Sequence, residues 1–399
     1  MSDTRKTTKP NVPNLRFPGF EGEWDKLKVR DFTRVVAGAT PATDKKEYWG
    51  GVIRWMNSGE LNLKRVYEVQ GRITQLGYDK TSTKIIPPHS VLIGLAGQGK
   101  TRGTAAMNYV ELCTNQSIAS ILPSDSFYPE FLYQNVESRY KELRDISSGD
   151  GGRGGLNLQM IYNLYIPHCS MQEQKKIGDF LYLLDQRIAI QNKVIERYRS
   201  LIRAIIQDSQ KKASTTIYLK DVLSERRELN SEGYQICSVS VSKGIVNQVE
   251  YLGRSFAAKE TNHYHVVKEG DIVYTKSPTG AFPYGIIKQS KLVIPVAVSP
   301  LYGVYSPISP EVGAYLHYYF CSPENTLNYL RKLIQKGAKN TINISNTHFL
   351  ENTIRIPERI TLSSAVAAIN TLSSRVETEV SLLRCLALQR AFFLNQMFI

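Results

Sequence analysis

Long apolar segments and paired cysteines are scarce in this sequence of 399 residues. No run approaches the roughly 20 predominantly apolar residues that a membrane-spanning helix requires. The five cysteines are odd in number and scattered, and no CxxC pair occurs, which argues against a disulfide scaffold and a zinc knuckle. The opening MSDTRKTTKP is charged but has no apolar core after it, unlike a secretory signal. We therefore expect a soluble, reduced protein of the cytoplasm.

Acidic residues are outnumbered by basic ones. Asp and Glu total 36 against 50 for Lys and Arg, which gives a formal net charge of +14. This surplus favours a nucleic acid as partner, although solubility alone is the simpler explanation of the charge. The hydrophobic fraction of 42% is that of a globular protein, and the length predicts two or three domains.

Motifs that would indicate catalysis or a metal site are sparse. The six histidines show no metal-ligand spacing except His263 and His265, which fit an alternating strand better. An amino-methyltransferase loop would place Asn or Asp before the Pro-Pro pair, where this chain has Ile86. A fragment of a nuclease metal site at Asp44 is a weaker interpretation than a basic surface loop. We therefore expect no catalytic residue, no metal ion and no cofactor bound by this chain.

One motif points to a different function. From Gly94 to Thr101 the chain reads GLAGQGKT, which matches the phosphate-binding loop of P-loop proteins and follows a strand-like run. Such a loop needs a helix directly after it, so that the helix N-terminus faces the phosphates. The following RGTAAMNYV is a poor helix sequence, and the best candidate for a magnesium-binding acid, Asp185, lies in a helical heptad pattern. A P-loop nucleotide-binding protein is therefore the alternative function, and a glycine-rich loop that contacts a DNA phosphate is preferred.

Two long helices are the clearest structural prediction. Residues 172–210 contain no proline, and apolar residues recur at alternating steps of four and three from Ile177 to Ile205. Residues 362–397 repeat this pattern from Leu362 to Leu394. A long helix with one apolar stripe needs a partner, and each of these helices can serve the other. A globular segment precedes each helix.

An internal repeat relates the two halves of the chain. Ile166 and Pro167 before the first helix recur as Ile356 and Pro357 before the second, 190 positions later. Further landmarks recur at offsets of 187 to 190: Arg30 with Lys220, Leu184 with Leu372, Arg187 with Arg375, and Arg203 with Arg390. The predicted fold class is α+β, with two mixed α/β domains that are related by the repeat and separated by the two long helices.

Several segments have a characteristic sequence. Residues 166–167 are followed by a Gln-Glu-Gln run at residues 172–174 where the first helix begins, whereas the second helix start at residues 356–360 lacks that run. Other characteristic segments are residues 13–20 with Trp24, residues 38–41, residues 47–55, residues 270–273 and residues 298–302. Over nearly the whole chain, these segments and the repeat resemble the specificity subunit of type I restriction-modification enzymes.

The resemblance implies a function for this chain and separate functions for its partner subunits. It implies that residues 1–170 and 211–360 are two target-recognition domains, each reading one half of a bipartite, asymmetric site on double-stranded DNA. Residues 171–210 and 361–399 would be antiparallel coiled-coil spacer helices that set the gap. Two methyltransferase subunits would use S-adenosylmethionine to methylate adenine, and two motor-nuclease subunits would use ATP and Mg²⁺ for cleavage. A coiled-coil adaptor that binds no DNA is a third hypothesis.

Basic residues in the loops are the candidate contacts to DNA, because Arg and Lys reach phosphates and guanine edges. These candidates are Arg54, Lys100, Arg102, Arg153, Lys243, Arg254, Lys276, Lys336 and Lys339. Arg187 and Arg375, which occupy equivalent positions of the two helices, are the candidates for binding the partner subunits.

Overall fold

The computed structural model describes residues 11–97, 99, 101–147, 154–248, 260–336 and 342–399. The chain divides into two compact units. The first contains Met1–Gln191 and Leu382–Ile399, and the second contains Asn192–Ser381. Two helices of 42 and 39 residues each contribute one part to each unit.

The first unit is built from ten strands and six helices among its described residues. The strands are β1 (Asp25–Lys28), β2 (Val35–Ala37), β3 (Trp49–Met56), β4 (Arg65–Val66), β5 (Arg72–Ile73), β6 (Val91–Gly94), β7 (Ala105–Asn108), β8 (Cys113–Thr114), β9 (Ile118–Ile121) and β10 (Tyr165–His168). The helices are α1 (Val29–Phe32), α2 (Gln75–Asp79), α3 (Pro129–Ser138), α4 (Tyr140–Ile146), α5 (Leu158–Tyr162) and the first part of α6 (Met171–Lys212). Two 3-10 helices, Lys46–Tyr48 and Ser58–Leu63, flank β3.

The main sheet of the first unit has five strands in the order β2-β9-β6-β7-β4, with β6 at the centre. All four residues of β6 are buried, because successive side chains point to opposite faces and both faces are covered. Val91 and Ile93 join a core with Phe131 of α3, and Leu92 joins a second core with Met56. The alternation along one apolar strand thus accounts for two hydrophobic cores.

The second unit has twelve strands among its described residues. They are β11 (Thr215–Tyr218), β12 (Leu223–Glu225), β13 (Cys237–Ser240), β14 (Gly244–Asn247), β15 (His265–Val267), β16 (Ile272–Thr275), β17 (Ile286–Gln289), β18 (Val296–Val298), β19 (Gly303–Pro307), β20 (Gln335–Lys336), β21 (Ile342–Asn343) and β22 (Thr353–Ile356). Its helices are α7 (Pro310–Phe320), α8 (Pro323–Arg331), α9 (Asn346–Phe349) and the first part of α10 (Arg359–Met397), with a 3-10 helix at Leu219–Asp221. The main sheet has the order β12-β19-β16-β17.

The predicted internal repeat is confirmed by the matching topology of the two units. β1 pairs with β10 and β11 pairs with β22, both antiparallel. Leu27 lies opposite Ile166 in the first pair and Ile217 lies opposite Ile354 in the second, so the second pairing is shifted by two residues from the offset of 190. The strand order β2-β9-β6-β7 of the first unit also matches β12-β19-β16-β17 of the second. Each unit is therefore an α+β copy of one design.

The two predicted long helices are confirmed as α6 and α10. In the first unit, Leu181 of α6 and Leu394 of α10 are buried in one core. In the second unit, Ile206 of α6 and Val366 of α10 are buried in another. The apolar stripes of both helices thus serve both cores. Within the described residues, no helix combines the length and apolarity that crossing a membrane requires.

Candidate nucleic-acid interface

Two tryptophans hold the first characteristic segment of the first unit. Trp55 of β3 donates from Nε1 to the carbonyl oxygen of Ala39 at 3.0 Å, and Trp49 donates to that of Ala42 at 3.1 Å. The indole rings pack edge to face with centroids 5.0 Å apart. Both rings therefore serve the structure, and between them Val52 of β3 is 87% exposed.

Arg54, the candidate DNA contact on β3, is paired within the protein. Its Nε lies 3.0 Å from Oε1 of Glu68, and Arg72 binds the same carboxylate at 2.9 Å. Arg54 lowers the pKa of Glu68 to about 2. Because this ion pair is exposed, water and salt screen it and little free energy holds it together. A DNA phosphate can compete with Glu68, and the DNA contact of Arg54 stays a prediction.

The described residues of the GLAGQGKT motif do not have the surroundings of a P-loop. The chain leaves β6 and returns as β7, antiparallel to it, so this segment connects the two strands of a hairpin. Gly94 N donates to the carbonyl oxygen of Thr104 at 3.0 Å, and Gly103 N donates back to Gly94 at 2.9 Å. A P-loop would lead directly into a helix whose N-terminus binds the phosphates. Nothing in the described residues supports the alternative function, because strand pairing uses the backbone at the base of this loop.

The other basic side chains around this hairpin contact the protein itself. Arg102 is half-buried, and its Nη1 donates to the carbonyl oxygen of Gly154. Arg144 of α4 donates to Gly99 at 2.7 Å. The DNA contact of Arg102 stays a prediction. Lys100 and Arg153 lie outside the described residues.

The DNA-contact candidates of the second unit lie in different surroundings. Lys243 is exposed in the turn between β13 and β14. Lys276 follows β16 and is half-buried, and this burial lowers its pKa. Lys336 ends strand β20. Arg254 and Lys339 lie outside the described residues. The DNA contacts of Lys243, Lys276 and Lys336 stay predictions.

The two candidates for partner binding are exposed arginines on the long helices. Arg187 lies on α6 in the first unit, and Arg375 lies on α10 in the second. Exposure is compatible with a protein interface but does not identify one, so this role stays a prediction.

A buried ionic network, which the sequence analysis missed, joins the sheet of the first unit to both long helices. Arg65 of β4 binds Glu130 of α3 at 2.6 Å and Asp185 of α6 at 2.7 Å. Arg390 of α10 binds Asp185 as well, and Glu137 of α3 at 3.3 Å. Burial opposes the charge of Arg65, but its hydrogen bonds to Glu130 outweigh burial and raise the pKa of Arg65. The acid considered for magnesium binding is therefore an ion-pair partner of two arginines.

One sequence signal could have located this network. Arg390 occupies a position of the largely apolar stripe of the second helix, between Leu383 and Leu394. A charged residue in a buried stripe needs an opposite charge nearby. That argument predicts an acidic partner but cannot name Asp185.

The Gln-Glu-Gln run at the start of α6 connects three segments of the first unit. Glu173 is 1% exposed and accepts from Nε of Arg16 at 2.6 Å. Gln174 is fully buried, accepts from the backbone N–H of Tyr128 at 2.9 Å, and donates to the carbonyl oxygen of Cys169 at 2.9 Å. This run therefore holds the N-terminal segment and the start of α3 against α6.

Comparison with known proteins shows which proteins the chain resembles in sequence. Residues 21–197 match the family described as the type I restriction modification DNA specificity domain. The chain is 32% identical over 183 residues to the MjaIX specificity subunit of Methanocaldococcus jannaschii, which covers 44% of this chain and 41% of that protein. It is 24% identical over 202 residues to the EcoR124I/EcoR124II specificity subunit of Escherichia coli, covering 47% and 50%. The matched stretch thus spans about half or less of these relatives.

A solved structure extends the likeness to the whole fold. The S subunit of the type I restriction-modification system from M. genitalium superposes with a TM-score of 0.62, covering 97% of this chain and 99% of that one at 14% identity. Residues 21–197 therefore carry a match to the type I restriction modification DNA specificity domain, and the chain is similar in sequence to type I restriction enzyme specificity subunits.

Proposed function

We propose that this chain is the DNA-specificity subunit of a type I restriction-modification complex and that it recognises a bipartite, asymmetric site. One observation carries the proposal: the two units share a scaffold but differ in the strands added to it. The first unit adds a sheet with the order β5-β3-β8, and the second adds the pairs β13-β14, β15-β18 and β20-β21. Two units that share a scaffold but differ in their additional strands are suited to recognise two different half-sites on DNA.

The charge of the chain supports double-stranded DNA as the ligand. A net charge of +14 attracts the phosphate backbone, and the affinity should fall as salt concentration rises. Basic side chains reach the surface in both units: Arg54 on β3 is partly exposed, and Lys243 between β13 and β14 is exposed. Phosphate contacts of this kind set the position of a protein on DNA, and contacts to base edges then determine the sequence that it reads.

We further propose that the chemistry belongs to partner subunits. Two methyltransferase subunits would supply S-adenosylmethionine and adenine methylation, and two motor-nuclease subunits would supply ATP-dependent, Mg²⁺-dependent cleavage. In this proposal residues 1–170 and 211–360 read DNA, residues 171–210 and 361–399 separate the half-sites, and the chain itself is not catalytic.

A domain exchange tests the proposal. Residues 215–356, bounded by the paired strands β11 and β22, are replaced by those of a relative with a different target. The chimera is expressed with the methyltransferase subunits, and methylated adenines are mapped by sequencing. We expect one half of the methylated site to change while the other half and the gap persist.

The matched exchange replaces residues 25–168, bounded by β1 and β10, and should change only the opposite half-site. A chimera altered in both halves would show that the units do not read DNA independently. Methylation at the same sites without this chain would show that specificity resides elsewhere.

A further inference from the structure

An aromatic cavity with acidic groups lies in the first unit, where β7, α3 and α6 meet. Its volume is about 400 Å³, and its wall includes His89, Tyr109, Tyr128, Glu130, Asp179 and Tyr182. Neither the DNA-contact candidates nor the partner-binding candidates lie in this wall, so its chemistry calls for a separate explanation.

The rings of the cavity are held in place by their neighbours. Tyr109 stacks on Tyr67 with ring centroids 4.4 Å apart, and its hydroxyl accepts a hydrogen bond from Arg65 at 2.6 Å. The guanidinium of Arg65 also lies over Tyr182, 4.7 Å from the ring centroid. Because these contacts already order the side chains, a ligand would meet a preformed wall and would lose little affinity to ordering it.

The start of α3 lies unusually close to α6 at this cavity. A Cβ on Gly178 would be 2.9 Å from both the backbone nitrogen of Phe131 and Cδ1 of Tyr128. The absence of a side chain at Gly178 therefore lets Tyr128 lie against this turn of α6. There the Tyr128 hydroxyl donates to Oδ1 of Asp179 at 2.7 Å.

The cavity wall has a negative charge at Asp179. In the part of the chain that the structure describes, no cation is paired with this carboxylate, whose hydrogen-bond partner is the neutral Tyr128. Glu130, by contrast, is neutralised by Arg65 at 2.6 Å. Asp179 therefore repels phosphate and attracts a cation. Aromatic rings beside a carboxylate are a favourable environment for an ammonium or guanidinium group.

We propose that this cavity binds a basic side chain, arginine or lysine, of the methyltransferase subunit. The inference rests on the proposed function, which supplies the class of partner. A cationic head group would pair with the second carboxylate oxygen of Asp179 and contact the tyrosine rings. Its alkyl stem would lie against the apolar side chains of Met107 and Pro129. Because the wall is negatively charged at Asp179, it would repel the phosphates of a DNA backbone.

The test is the affinity of the methyltransferase subunit for the full-length chain, measured by isothermal titration calorimetry. Asp179→Asn removes the charge but keeps an oxygen that can accept from Tyr128, so the first unit should stay folded. We expect this variant to raise Kd by about tenfold or more, because the partner's cation loses its counter-charge. Asp179→Lys places a cation in the cavity and should abolish measurable binding.

The matched control is Asp79→Asn, which removes the same charge from an exposed position on α2. We expect it to leave Kd within about twofold of the wild type. Equal dissociation constants for Asp179→Asn and Asp79→Asn would overturn the inference. DNA affinity, measured on the same variants by fluorescence anisotropy, should not fall in Asp179→Asn. A loss of DNA affinity with unchanged partner affinity would assign the cavity to DNA and also overturn it. Failure of the wild-type chain to bind the methyltransferase subunit would overturn the proposed function itself.

Discussion

Replacing Arg390 by methionine should destabilise the first unit through its buried ionic network. Arg390 of α10 pairs with Asp185 of α6, and its Nη2 donates to Oε1 of Gln134 at 2.9 Å. Methionine fills similar apolar space but cannot pair with a carboxylate. The substitution therefore removes the charge while largely keeping the packing of the helix.

The expected loss follows from the surroundings of Asp185. Removing one member of a buried ion pair costs about 3–5 kcal/mol when the other charge is left unpaired. Here Asp185 keeps Arg65 at 2.7 Å, and the side chain of Arg390 is 17% exposed. We therefore expect the free energy of unfolding to fall by about 2 kcal/mol. For a unit of this size that lowers Tm by about 4–8 °C.

Tryptophan fluorescence during urea unfolding measures this change in the first unit alone. The chain has three tryptophans, Trp24, Trp49 and Trp55, and all of them lie in that unit. The control is Arg384→Met, an exposed arginine on the same helix, which should change the free energy by no more than about 0.5 kcal/mol. Equal losses for the two variants would refute the assignment of the stabilisation to the ionic network.

Three further predictions address the helix contact, the buried histidine and the glycine-rich loop. Gly178→Ala should destabilise the first unit, because its Cβ would lie 2.9 Å from the backbone nitrogen of Phe131. This clash should outweigh the advantage of about 1 kcal/mol that alanine has over glycine in an isolated helix. A raised urea midpoint would contradict this prediction. Burial, reinforced by nearby lysines, lowers the pKa of His317 from 6.5 to about 3. His317 therefore binds a proton in the unfolded chain at a pH where it stays neutral in the folded chain. The free energy of unfolding should decline as pH falls from about 6.5 towards 3. His317→Gln should flatten this decline, whereas the exposed His263→Gln should not. Lys100→Ala should leave ATP binding undetectable, as it is in the wild type. It should weaken binding to all DNA sequences alike and reduce the dependence of DNA affinity on salt concentration by about one unit of slope. Saturable ATP binding by the wild type would contradict this prediction.

The long helices and the repeat could be predicted from the sequence because their signals are local or periodic. The apolar stripe beginning at Ile177 predicted a helix over residues 172–210, and α6 spans Met171–Lys212. The recurrence of Ile166-Pro167 as Ile356-Pro357 predicted two equivalent copies, and the antiparallel pairs β1-β10 and β11-β22 with the matching strand orders confirm them. Such patterns are visible in the sequence because a buried stripe requires an apolar residue at each turn of the helix, independently of the other segments.

Tertiary structure decided what local pattern could not. GLAGQGKT satisfies a phosphate-binding motif letter by letter, yet pairing of β6 with β7 makes it a hairpin loop. Likewise Arg65 meets Glu130, 65 positions away, and Asp185, 120 positions away. The role of a charged side chain depends on which opposite charge the fold brings within about 3 Å, because electrostatic pairing in a buried site acts over contact distances and not along the sequence. The cavity at Asp179 has the same origin, since its wall exists only after β7 and α3 have packed on α6.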